Sequence, residues 1–205
     1  MEVIVPESIK DITLEQYQKL TKLVAREDLT ESEFKKRLIS VFTNIKYNDT
    51  GKVSKRDFDK LVEAINTAIN TDCEFQNTFE LNGVTYGFIP NLDNVSGDEW
   101  FDAMLYPMEE DDKLHKAMAV LFREVRKKKD MFGNYRIKPY NGTTERSELF
   151  KQMPMHIVNG ARGFFLTLLD ELQAHTLKST RAAQAREAKQ QTTLKNGDGM
   201  QHSTT

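Results

Sequence analysis

Phe75-Gln-Asn-Thr-Phe-Glu-Leu-Asn-Gly-Val-Thr-Tyr-Gly-Phe88 breaks the helical rhythm of the rest of the chain. Aromatic and β-branched side chains recur on both sides of Asn82-Gly83, the dipeptide that most readily takes the two positive φ angles of a tight hairpin turn. A two-stranded antiparallel ribbon is therefore predicted here. Pro90 and the polar residues 91–96 close it.

On the N-terminal side the apolar spacing is helical. Thr13 with Gln16, and Thr30 with Glu33, have the capping-box spacing, and Ser54 is a third N-cap. The stripes that follow are Leu14, Tyr17, Leu20, Leu23 and Val24; Phe34, Leu38, Val41, Phe42 and Ile45; and Phe58, Leu61, Val62, Ile65 and Ile69. Residues 1–72 read as a three-helix subdomain. On the C-terminal side, Ser96 with Glu99 opens a short helix through Trp100, Phe101, Met104 and Leu105, and Pro107 stops it. The acidic run 109–112 suits the first turn of a further helix carrying Leu114, Met118, Leu121 and Phe122, with Arg123 to Lys129 as its basic end. Residues 131–140 hold a weak second ribbon, and 143–152 a short helix. After Pro154, Met155, Ile157, Val158, Ala161, Phe164, Phe165, Leu168, Leu169 and Leu172 make the broadest apolar face of all. Gly160 and Gly163 lie inside it, where each costs about 1 kcal/mol relative to Ala, so close packing against another element is expected.

The fold class is thus α+β and mainly helical: a helical body with a minor antiparallel hairpin. Residues 73–177 form the α+β body around the final helix, and 178–205 read as a disordered tail, with Leu194 and Met200 its only large apolar residues.

The chain has 205 residues, 29 Lys+Arg against 31 Asp+Glu, and one cysteine, Cys73. Near-neutral charge argues against a dedicated nucleic-acid binder, and a lone cysteine against an internal disulfide or multi-cysteine cluster. The longest uncharged apolar run, Gly163 to Leu169, is far short of the roughly 20 residues that span a membrane. The N-terminus, with Glu2 and Glu7, lacks the positive charge of a secretory signal. A soluble protein is expected, with no nucleic-acid and no membrane partner. Nucleophile-elbow and phosphate-loop motifs are absent, and His115, His156, His175 and His202 have no ligand spacing. The carboxylates at 98–112 and the cations at 123–129 read as solvated faces, and His115 as a surface histidine. Residues 46–57, aligned on Gly51, resemble an EF-hand loop, but Lys46 stands at the first ligand position, where a cation repels Ca²⁺. A plain helix–turn–helix is expected, with no metal, cofactor or catalytic residue assigned.

Several segments resemble, in their order, small tail-morphogenesis proteins of tailed bacteriophages, in the T-even-like and related Bacteroidetes-phage groups. They are Ile12-Thr-Leu-Glu-Gln-Tyr17, Tyr86-Gly-Phe-Ile-Pro90, Ser96-Gly-Asp-Glu-Trp-Phe-Asp102, Leu114-His-Lys-Ala-Met-Ala-Val-Leu-Phe-Arg123, Tyr140-Asn-Gly-Thr143, Met153-Pro-Met155 and Gly163-Phe-Phe165. The resemblance implies a non-enzymatic, baseplate-associated protein or tail assembly chaperone that keeps a long helical tail protein, the tape measure, soluble in the host cytoplasm. The alternative is a structural subunit of the virion: baseplate, tail or connector. Under either reading the partner is a phage tail protein, with a second copy of the chain as a further candidate. The expected contact residues are Phe164, Phe165, Leu168 and Leu169, and Phe165 is taken as facing the partner.

Overall fold

The computed structural model describes residues 3–71, 73–91, 95–106, 108, 110–127 and 134–167, with the backbone alone at 127, 144 and 145. Its order is α1 (Leu14–Val24), α2 (Glu31–Phe42), α3 (Lys55–Ile69), β1 (Thr78–Leu81), β2 (Val84–Phe88), α4 (Gly97–Leu105), α5 (Leu114–Leu121), β3 (Phe122–Lys127), β4 (Arg136–Ile137), α6 (Thr144–Phe150) and α7, helical at 155–167. The fold is α+β and mainly helical, with one small antiparallel sheet. Met1–Gly163 is one compact unit, so the N-terminal helices and the sheet belong together, and a second unit begins at Phe164. The predicted tail, 178–205, lies outside the described residues.

The helix starts follow their caps. Thr13, Thr30 and Ser96 each close a capping box with Gln16, Glu33 and Glu99, and the Ser54 hydroxyl accepts from Asp57 N. The start of α1 is tied to the start of α7: Leu14 N donates to Met153 O at 2.9 Å, Glu15 N to Lys151 O at 2.8 Å, and Met155 N to Ile12 O at 2.7 Å. Backbone donors that a helix start leaves unpaired are thus used in long-range contacts.

The sheet order is β1-β2-β3-β4, antiparallel throughout. Asn82 (φ 51°) and Gly83 (φ 75°) form the predicted turn and set the pairs Leu81↔Val84 and Phe79↔Tyr86. β3 differs from the sequence reading. The chain leaves α5 at Phe122 and becomes a strand, pairing Phe88↔Phe122 and Tyr86↔Glu124, where a basic helix end was expected. The reason is packing: Phe122 is fully buried, with its ring 5.3 Å from both Phe79 and Phe88, and a strand here gives β2 its second neighbour. In the 131–140 region, Arg136–Ile137 pairs with β3 instead of forming a ribbon of its own. Phe150 of α6 completes the aromatic core against Tyr86 and Phe79, at 5.0 and 5.9 Å.

Two glycines permit close approach. A Cβ at Gly160 would lie 2.7 Å from Glu74 O and 2.9 Å from Phe75 Cα, so the expected tight packing is present there; one at Gly163 would meet nothing within 4 Å among the described residues. At Gly87 a Cβ would lie 2.4 Å from the Tyr135 ring. The Tyr135 hydroxyl donates to Phe88 O (2.6 Å) and Asn77 O (3.0 Å), tying the chain before β4 to β1 and β2, and burial pushes its pKa up to about 12.

Candidate functional site

α4 joins two surfaces of different chemistry. Its inner side buries Glu99 and Ala103. On its outer side Trp100 is 44% exposed, Phe101 72%, Met104 42% and Leu105 60%. Trp100 and Met104, and Phe101 and Leu105, are four residues apart, and Phe101 and Met104 three, so each is a helix-surface neighbour of the next and the four make one contiguous apolar surface. Fully burying a large apolar side chain is worth about 1.5–3 kcal/mol, of which each of these forgoes the share set by its exposure, and patches of this kind mark interaction sites.

Beneath α4 lies a buried ion pair. Glu99 Oε2 accepts from Ser96 N at 3.0 Å as part of the capping box, while Oε1 sits 2.7 Å from Arg123 Nη2. Both side chains are more than nine-tenths buried. The contact is close but misaligned, since neither Glu99 Oε1 nor Arg123 Nε has a properly directed hydrogen bond. Burial lowers the Arg123 pKa from its ordinary value, and Glu99 opposes that shift. The Tyr140 ring lies 5.8 Å from the Arg123 guanidinium, and its hydroxyl donates to Asp102. Burial first, and then the Asp102 carboxylate, pushes the Tyr140 phenol upward. Around Arg123 opens a cleft of about 680 Å³ between the start of α4 and β3–β4, lined also by Arg126, Arg136, Lys138 and Tyr140.

The stretches read as solvated therefore hold structural partners. Glu99 and Arg123 pair with each other, Asp102 accepts from Tyr140, and Asp111 pairs with Arg162 at 2.9 Å. His115 is buried, contrary to expectation. Gln18 Nε2 donates to Asp111 O (2.7 Å) and to His115 Nδ1 (3.1 Å), so Nδ1 accepts and the ring proton sits on Nε2, 3.9 Å from Glu148 Oε1. No sequence pattern links residues 97 positions apart.

Desolvation lowers the pKa of His115, with Lys151 and Lys116 adding to it and Glu148 and Asp112 opposing. It does the same at His156, where Lys10 adds and Asp11 opposes, and whose Nδ1 is buried without a hydrogen bond among the described residues. A folded-state pKa below the unfolded one means that the stability linked to the neutral rings is complete above the ordinary 6.5. It is lost as pH falls through the folded values. The thermal midpoint should therefore be lower at about pH 5.5 than at about pH 7.5. The drop should shrink in a His115→Gln/His156→Gln variant; an equal drop in that variant would assign it to other groups.

Of the expected contact residues, Phe164 is 40% exposed, Phe165 only 3%, and Leu168 and Leu169 lie outside the described residues. In the EF-like stretch Gly51 has no positive φ, and 47–52 form a 3₁₀ turn. The would-be ligands are used locally: Thr50 Oγ1 donates to Tyr47 O at 2.7 Å, and Ser54 Oγ to Asp57 Oδ2 at 2.7 Å. Among the described residues no helix is long and apolar enough to cross a membrane.

No protein-family model, curated protein or solved structure matches the chain.

Proposed function

We propose that this protein binds an apolar helical segment of another protein along the outer face of α4, and that the partner is the tape measure protein of a tailed phage, held soluble during tail assembly. The observation that carries the binding reading is the contiguous exposure of Trp100, Phe101, Met104 and Leu105. The partner's identity rests on the phage resemblance, one of whose segments, Ser96 to Asp102, forms most of this helix. An amphipathic helix laid against an apolar helix face buries anchors at helical spacing on both sides.

This assignment moves the contact surface from the Phe164–Leu169 segment to α4. Aspartate at Phe165 places a charge at a buried position and acts on folding, whereas α4 offers side chains that can be changed without opening the core. Trp100 is the only tryptophan in the chain, so its emission reports this face directly. Adding a purified apolar helical segment of the tape measure protein should shift the emission to shorter wavelength as the ring leaves water. Binding with unchanged emission would place the contact elsewhere, and absence of binding would remove the assignment. If the protein copurifies with finished particles, it serves as a structural subunit and not as a chaperone that departs.

A further inference from the structure

We propose that the cleft between the start of α4 and β3–β4 is a binding site for an oxyanion, a carboxylate or phosphate group, gripped by Arg126 and Arg136 over the buried Arg123. Three independent features lead there.

The first is positive charge with no counter-charge among the described residues. Lys138 is paired with Glu124, and Arg123 with Glu99. Arg126 and Arg136 line the same cleft, are exposed, and make no ion pair or hydrogen bond among the described residues. Two guanidinium forks in one concavity, unpaired among the described residues, match the planar geometry of carboxylate and phosphate oxygens.

The second is the backbone. In a regular strand, residues 123 and 126 point to opposite faces. Between Val125↔Ile137 and Lys127↔Arg136, however, β3 advances two residues while β4 advances one, so Arg126 is the extra residue of a β-bulge. A bulge resets the alternation, and both Arg123 and Arg126 line one cleft. The irregularity thus falls at the residue that supplies a free cation.

The third is the cleft floor. Arg123 is 6% exposed, and its Nε is buried without a hydrogen-bond partner among the described residues. Glu99, which also lines the cleft, balances the Arg123 charge at 2.7 Å, so the floor adds a buried N–H donor and the net positive charge comes from Arg126 and Arg136.

The inference does not depend on what α4 binds on its other side. It is tested by titration calorimetry on the full chain at low ionic strength, with inorganic phosphate in one arm and a hexaglutamate peptide in the other. Saturable binding of at least one is expected, and which one binds tells a free phosphate site from a site for acidic peptide. Arg126→Ala/Arg136→Ala should weaken that binding about tenfold or more and leave the melting temperature in place, since neither side chain is buried or paired. Lys55→Ala/Arg56→Ala, which removes two exposed charges on α3, should leave affinity unchanged. No saturable heat in either arm would overturn the proposal. So would equal affinity in the cleft variant, or equal weakening in the α3 control.

Discussion

Glu99→Ala is expected to lower stability by about 3–5 kcal/mol, because it strands the Arg123 charge in the interior. Two losses combine. The carboxylate that faces Arg123 Nη2 at 2.7 Å disappears, and so does the capping-box acceptor of Ser96 N. The cap alone accounts for about 1 kcal/mol. For a chain of this size the sum corresponds to a fall in melting temperature of about 6–20 °C. Desolvating two ions offsets most of their attraction, so removing both together is far milder than removing one. Glu99→Gln/Arg123→Met should therefore recover most of what Glu99→Ala loses, since the glutamine keeps the cap acceptor. A Glu99→Ala melting temperature within about 2 °C of wild type would show that water reaches Arg123 and that the pair is not buried in solution.

Gly160→Ala and Gly163→Ala should change stability in opposite directions, although both replace a glycine within the same helical run. In a helix, alanine is favoured over glycine by about 1 kcal/mol, and at Gly163, where a Cβ meets nothing within 4 Å among the described residues, that gain should appear. At Gly160 the Cβ would stand 2.7 Å from Glu74 O and 2.9 Å from Phe75 Cα. These are backbone atoms, and Phe75 is held edge-on to Phe88 at 5.1 Å, so α7 must move away from the 74–75 chain. Overpacking of this kind costs about 1–3 kcal/mol, enough to reverse the propensity gain, and Gly160→Val should cost more. Chemical denaturation of the two alanine variants decides the point: equal shifts of one sign would mean that α7 does not pack on 74–75 as described.

What the sequence disclosed was chemistry that acts over a few residues. Asn82-Gly83 specifies its turn through the φ angles of those two residues, and each N-cap meets its acceptor or donor within the next turn, so the hairpin and the starts of α1, α2, α3 and α4 were readable. Gly160 was readable as a close approach from its helical context, although its neighbours at 74–75 were not. Contacts made across the fold were hidden. The apolar spacing of α5 runs to Phe122, and nothing local tells Arg123-Glu-Val-Arg-Lys127 from a basic helix end; pairing with β2 makes it a strand. Glu99 reads as a capping residue, and its second role depends on a strand 24 residues on. Burial is non-local in the same way: the length of the apolar run after Pro154 pointed to Phe165, which is 3% exposed. The four exposed residues of α4 belong to a shorter helix, and their spacing alone does not tell which of them the fold leaves in water.

The central claim is that the outer face of α4 is the binding surface, and Phe101→Asp tests it most directly, because Phe101 is 72% exposed. The measurement is retention of the coexpressed tape measure protein by the tagged full chain, read beside the melting temperature of the variant. The proposed function predicts a melting temperature within about 2 °C of wild type, as for other exposed substitutions, and loss of the partner, since the new carboxylate would be desolvated in an apolar interface. A folded Phe101→Asp protein that retains the partner as fully as wild type would contradict it.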